Sequence, residues 1–424
     1  MSETSSEDPE TAAADVIATA LEAADYETVI AQVRSAIETD PTAAMANPLI
    51  REWLGQRFRN IFIGEAVDDE DAVKHSQAPF PLRLVDPRDT RERVAKRMIR
   101  HITDDEIQLE LPDPQIPVIR DTTLVFAPGL LTGLLPDLAF QEVWPGITKR
   151  FGVRIIASDS HPMRSAEANV ADLENAIERG VGFAGGQPDQ LVTEVDNPTP
   201  PGDVILIGYS KGSPDVLALL AKRPDLAPRI KAVIGWAGAV GGSYLADDIY
   251  QKLKAMPMYN QIADLTTSSV GKQVFRLAPV AEIKSINRRI AEYDVLGALS
   301  SLTTGVRAQF IEDHGDAINS LPIPQFYFTG STSLFEVPYF QREGTFELDK
   351  YDQDNDMQLT QSQAALPSPN GVRLAMFHAN HWDLSYGPFP ASRTMGSQHL
   401  KNEFARRPAM NAIIIFLAEI GLLS

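Results

Sequence analysis

Five consecutive residues, Gly208-Tyr209-Ser210-Lys211-Gly212, hold a serine between two glycines. They follow the apolar run Asp203-Val204-Ile205-Leu206-Ile207 and precede a helix signal at Ser213-Pro214. Strand, G-x-S-x-G and helix in that order make a very tight turn. Side chains at Gly208 and Gly212 would collide with neighbouring backbone there, while the serine takes a strained conformation with its hydroxyl exposed. The same turn sets the N–H of Lys211 at a helix start, where it can meet a developing oxyanion. An ordinary Gly-Ser turn has the same letters, but the flanking strand and helix favour a nucleophile. The chemistry expected is attack of Ser210 on an acyl carbonyl.

A serine hydroxyl needs a base to take its proton and a carboxylate to hold that base in the right tautomer. Of the seven histidines, His314, His378, His381 and His399 follow the serine. The base of such a set stands in the loop after the last strand, here expected at 372–377. His381, three residues into that loop, is the expected base. His378 at the strand end is the alternative, and the two as a metal pair would need further ligands.

After the run 325–329 come Glu336, Glu343, Glu347, Asp349, Asp352, Asp354 and Asp356. Asp356, between a polar turn and a helix-like stretch at 360–365, is the expected orienting acid, with Asp354 second. Asp383 reads as a local cap or surface charge. Asp352, Asp354 and Asp356 alternate like part of a calcium loop, whose glycine and distal glutamate are missing. No metal and no cofactor is expected. The loop 128–133 should supply a second oxyanion donor, because Gly129 lets the backbone pass closely and the N–H of Leu130 can join that of Lys211. Leu130, Leu131, Leu134 and Leu135 would line an acyl pocket or belong to the core.

These residues need a scaffold. Short apolar runs at 107–111, 123–127, 153–157, 204–207, 232–236, 325–329 and 372–377 alternate with helical candidates at 138–151, 166–180, 214–222 and 401–422. That is the form of a mostly parallel sheet in an α/β fold. The stretch 247–320 lacks a strand signal and offers helices at 248–254, 281–293 and 306–318, so a helical cap insertion over the strand ends is expected. Residues 1–106 read as an N-terminal helical extension, with apolar spacing at 15–38, 48–63 and 90–102. The expected division is thus 1–106, a first core part at 107–246, the insertion at 247–320, and a second core part at 321–424.

The chain of 424 residues contains no cysteine, which excludes disulfides and a thiolate nucleophile. A formal charge of −19 argues against a nucleic-acid partner, which needs clustered basic residues. The acidic N-terminus lacks a secretory signal pattern, so a cytoplasmic location is expected. The apolar stretch 412–423 is interrupted by Glu419 and too short to span a bilayer.

Together these motifs resemble the α/β-hydrolase family, in its bacterial lipase and esterase branches, over residues 107–424. Gly208-Tyr209-Ser210-Lys211-Gly212 is similar to the nucleophile elbow, and Pro128-Gly129-Leu130 stands where lipases carry His-Gly. Asn355-Asp356-Met357 is similar to the Asn-Asp-Gly turn of the acid, and Asn380-His381-Trp382 to the histidine loop. Pro128 and Met357 depart from that pattern. The resemblance implies an esterase or lipase acting on a small-molecule acyl ester. Thioesterase, amidase and acyltransferase use the same set, and a non-catalytic interaction protein would be expected to lack one of its members. Residues 1–106 match no known module. Covering the site, self-association as a homo-oligomer and extension of the core all stand open for them.

Overall fold

The computed structural model describes residues 9–78, 81, 83, 85–132, 135, 138–184, 195–255, 289–367 and 369–424. Seven strands form one sheet: β1 (Thr122–Ala127), β2 (Arg154–Ala157), β3 (Phe183–Ala184), β4 (Asp203–Tyr209), β5 (Ile230–Trp236), β6 (Gln325–Ser331) and β7 (Gly371–His378). Their order is β3-β2-β1-β4-β5-β6-β7. All neighbours are parallel except β3, which pairs antiparallel with β2. The near-continuous apolar runs of β1 and β4 are buried on both faces, as parallel strands between helical layers must be.

Alternation along the strands divides the core. Ile205 and Ile207 of β4 face the helices Trp144–Phe151, Pro48–Val67 and Arg406–Glu419. Val204 and Leu206 face Ala166–Arg179, Gly212–Lys222 and Thr304–Asn319. The strand order reverses between β1 and β4, since one branch runs from β1 out to β3 and the other from β4 out to β7. The loops leaving β1 and β4 therefore part there, opening a crevice at the carboxyl ends of the strands.

One expected strand is corrected, and one strand is added that the sequence does not show. Residues 107–111 are not a strand: Thr103 caps a short helix, Asp104–Gln108, whose first turn carries Asp104, Asp105 and Glu106. Acids at a helix N-terminus favour that state. The antiparallel β3 escapes sequence reading because it is only two residues long.

Of the stretch 247–320, residues 256–288 lie outside the described residues, and with them most of the helix expected at 281–293. The described part holds Tyr244–Lys254, which begins just before it, Val295–Ser300 and Thr304–Asn319. Thr304–Asn319 packs beside Gly212–Lys222, with Phe310, Ile311 and Ile318 against the sheet layer. It is therefore a crossover helix leading into β6 and does not lie over the strand ends.

The N-terminal helix Pro48–Val67 starts from an Asn47 cap and carries buried residues from Ile50 to Ala66. Phe58 meets Phe328, Phe377 and Phe416, and Arg57 grips both carboxylate oxygens of Glu419 at 2.7 and 2.5 Å. This segment also closes the β7 edge. Arg51 donates to the carbonyl of Gly371 at 2.6 Å, Arg59 to Leu374 at 2.9 Å and Arg97 to His378 at 3.3 Å. The N–H of Arg100 donates to Met376 O at 2.8 Å. Past a register shift beside Arg373, the carbonyls of Leu374, Met376 and His378 all point away from β6 to these donors, so an edge otherwise open to pairing is sealed.

Candidate active site

Ser210 leaves β4 with φ of 52°, a left-handed conformation that side chains rarely adopt. Its surroundings enforce that strain. A Cβ on Gly208 would lie 2.7 Å from Ser213 Cα, and one on Gly212 only 2.0 Å from the Ala127 carbonyl oxygen. Ser210 N donates to Trp236 O at 3.2 Å, and Ala239 N donates to Ser210 O at 2.9 Å. Strain at one residue persists only where its neighbours over-determine it.

His381 Nε2 lies 2.9 Å from Ser210 Oγ, and its Nδ1 lies 2.7 Å from Asp356 Oδ2. Asp356 Oδ1 accepts the N–H groups of Gln358 and Leu359 at 2.9 and 2.7 Å. The Tyr209 hydroxyl donates to His381 O at 3.0 Å. Burial pushes that phenol well above its usual range, so it remains a donor. With Nδ1–H turned to the carboxylate, Nε2 is left as an acceptor facing the serine hydroxyl.

The other candidates have different partners. His378 Nε2 lies 3.1 Å from Glu336, which its imidazole holds down to about 2. Asp354 meets His101 Nε2 and Ser331 Oγ, each at 2.8 Å, away from His381. Asp352 accepts from the N–H groups of Asp354 and Gln361. The three alternating aspartates thus face three separate sets of partners. Asp383 is not a surface charge: it is buried, accepts the Phe404 N–H at 2.8 Å, and burial raises its pKa. Among the described residues, no group of three or more His, Cys, Asp or Glu is arranged to hold a metal ion.

The loop after β1 passes directly against the serine, since a Cβ on Gly129 would lie 3.0 Å from Ser210 Cβ. Thr132 Oγ1 closes this turn onto Gly129 O at 2.7 Å, and Leu131 takes φ of 63°. A cavity of about 60 Å³ opens beside Ser210 and His381. Leu130, Leu131 and Leu135 line one wall, and Leu245, Leu299 and Leu302 are among the apolar residues that complete it. Leu134 lies outside the described residues. The second group of leucines was missed from sequence because nothing in 245–302 marks a leucine as facing a site 35 or more positions away in the chain.

Beneath the serine, the Lys211 side chain is buried, with Nζ 2.8 and 3.1 Å from the two oxygens of Asp215. Burial pushes the Asp215 carboxyl up, against the opposing pull of the Lys211 ammonium and the Asn169 amide. Asp215 stands four residues after Lys211 on a helix, a readable pairing distance. Nothing in the sequence pointed to Asn169.

No family model matches the chain, and no curated protein matches it. Among solved structures, it is similar to the metagenomic carboxyl esterase MGS0156, with 21% identity over 86% of this chain and 91% of the other and a TM-score of 0.58. Lipase BlEst2 of Bacillus licheniformis in its mature form is also similar, with 19% identity over 65% and 88% of the two chains and a TM-score of 0.40. The chain has the α/β-hydrolase fold. No described helix is long and apolar enough to cross a membrane.

Proposed function

We propose that this chain is a serine hydrolase of small carboxylic esters. Ser210 attacks the acyl carbonyl, His381 takes the hydroxyl proton and returns it to the leaving alcohol, and Asp356 holds His381 and stabilises the imidazolium. The amides of Leu130 and Lys211 hold the tetrahedral oxyanion. Water, deprotonated by His381, then releases the acid and frees Ser210. The observation that carries this reading is the unbroken hydrogen-bonded line from Asp356 through His381 to a strained serine at the crevice. The helices at 244–254 and 295–300 act as part of a cap over the acyl pocket.

The cavity of about 60 Å³ holds only a few waters at ~15 Å³ each, which supports a short acyl group. Rates on p-nitrophenyl esters are expected to fall as the acyl chain lengthens and to exceed those on an acyl-CoA or an anilide. A fluorophosphonate probe should label Ser210, and Ser210→Ala should lower kcat/KM by at least about 10⁴-fold. Ester turnover at the wild-type rate in Ser210→Ala, with no label on Ser210 in the folded parent, would exclude the proposal. An enzyme that prefers the thioester or anilide would move the assignment to another acyl-transfer reaction of the same residues.

A further inference from the structure

The Lys211–Asp215 pair is the first link of a longer buried chain. Asp215 Oδ2 also accepts from Asn169 Nδ2 at 2.8 Å. The same Asn169 amide clasps the backbone of His161 from both sides: Nδ2 donates to His161 O and Oδ1 accepts His161 N–H, each at 3.0 Å. Asn169 is wholly buried, and Lys211 and Asp215 are 1% and 0% exposed. From His161 the line continues outward. His161 Nδ1 accepts the N–H of Met163 at 3.1 Å, and Met163 O accepts the N–H of Asp294 at 2.8 Å. Asp294 caps the helix Val295–Ser300, which carries Leu299 to the cavity wall.

We propose that Asp215 and Asn169 are positioning residues for the oxyanion hole, fixing the Lys211 main chain through its side chain and tying it to the pocket wall at Leu299. This inference rests on the serine-hydrolase reading above. The strained Ser210 precedes Lys211, so the peptide between them is where relaxation would first turn the Lys211 N–H away from the oxyanion. Lys211 has φ of −55° and ψ of −27° at the helix start, and its side chain makes no cap hydrogen bond. Its anchor lies one turn along the helix at Asp215. A buried ion pair seldom stabilises a fold more than well-packed apolar residues of similar volume, so stability alone does not account for this pair. A transition-state donor, by contrast, works only when held within a few tenths of an ångström of its geometry.

The test is the double variant Lys211→Met/Asp215→Leu, which removes both charges together and keeps the volume filled, beside Asn169→Ala, which removes the tie from Asp215 to His161. In each, kcat is expected to fall about 10- to 100-fold with KM within about twofold. Affinity for a trifluoromethyl ketone, whose hemiketal oxyanion occupies the same hole, should fall by the same factor as kcat. If the double variant does not fold, Asn169→Ala alone decides. Wild-type kcat and ketone affinity in a folded variant would overturn the inference, as would a fall in melting temperature with neither parameter altered in the folded fraction. Ser210→Ala separates the two levels: if it is inactive while these variants are unaffected, the relay inference alone fails; if it is active, the hydrolase reading itself fails.

Discussion

The acid turn shows how single residues meet backbone demands. Met357 has φ of 82°, so the position where the family carries glycine has the geometry that glycine suits. Its N–H is held by Asn355 Oδ1 at 3.0 Å, and its side chain is fully buried. Glycine there would relieve about 1–2 kcal/mol of left-handed strain but would remove a buried side chain whose loss costs about 2–5 kcal/mol. Packing outweighs strain. Met357→Gly is therefore expected to lower the unfolding free energy by about 1–3 kcal/mol in denaturant titration. Activity per folded molecule should stay near wild type, because the backbone donors to Asp356 are kept. A more stable Met357→Gly would mean that strain dominates.

At the scale of elements, β7 joins the fold's stability to its site. One side of the strand pairs with β6, and the other is closed by Arg51, Arg59, Arg97 and the backbone of Arg100. The strand ends at His378, three residues before His381. Arg59→Leu takes away the donor to the Leu374 carbonyl and the ion pair with Glu106. A cost of about 1–3 kcal/mol is expected for the carbonyl left without its donor. Hydrogen exchange should rise across 371–378 and not across β1. Unchanged exchange along β7 would show that the arginine side chains lie against an edge already protected without them.

For the whole molecule, the decisive fact is that the helix Pro48–Val67 is inside the core. Trp53, Leu54, Phe58, Ile61, Phe62 and Ile63 are all buried, and Arg57 ties the helix to the C-terminal helix through Glu419. Deleting residues 1–67 would uncover part of one sheet face, leaving it to Trp144–Phe151 and Arg406–Glu419, and would leave Glu419 without its partner. Such a chain is expected to lose cooperative thermal unfolding and fluorophosphonate labelling together, read by calorimetry and mass spectrometry. A cooperative transition in the truncated chain would show that residues 68–424 fold without the helices of 1–67. Of the three roles open from sequence, extension of the core is the one that this packing supports.

Local pattern was enough to locate β1, β2 and the strands from β4 onward, the turn at Ser210 and the loops on which His381 and Asp356 stand. Those features depend on short-range constraints: buried parallel strands must read as apolar runs, and a strand-to-helix elbow needs glycine on both sides of its serine. Chain order narrowed the acids to one loop, but Asp354 and Asp356 stood as rivals because both are acids in a polar turn. Only tertiary structure separated them, by carrying His101 from the N-terminal segment to Asp354 and His381 from beyond β7 to Asp356. The same holds for Asn169 beneath Asp215, the leucines across the pocket and the arginines along β7. Each acts through a contact between residues distant in sequence, and such contacts leave no periodicity or motif in the chain.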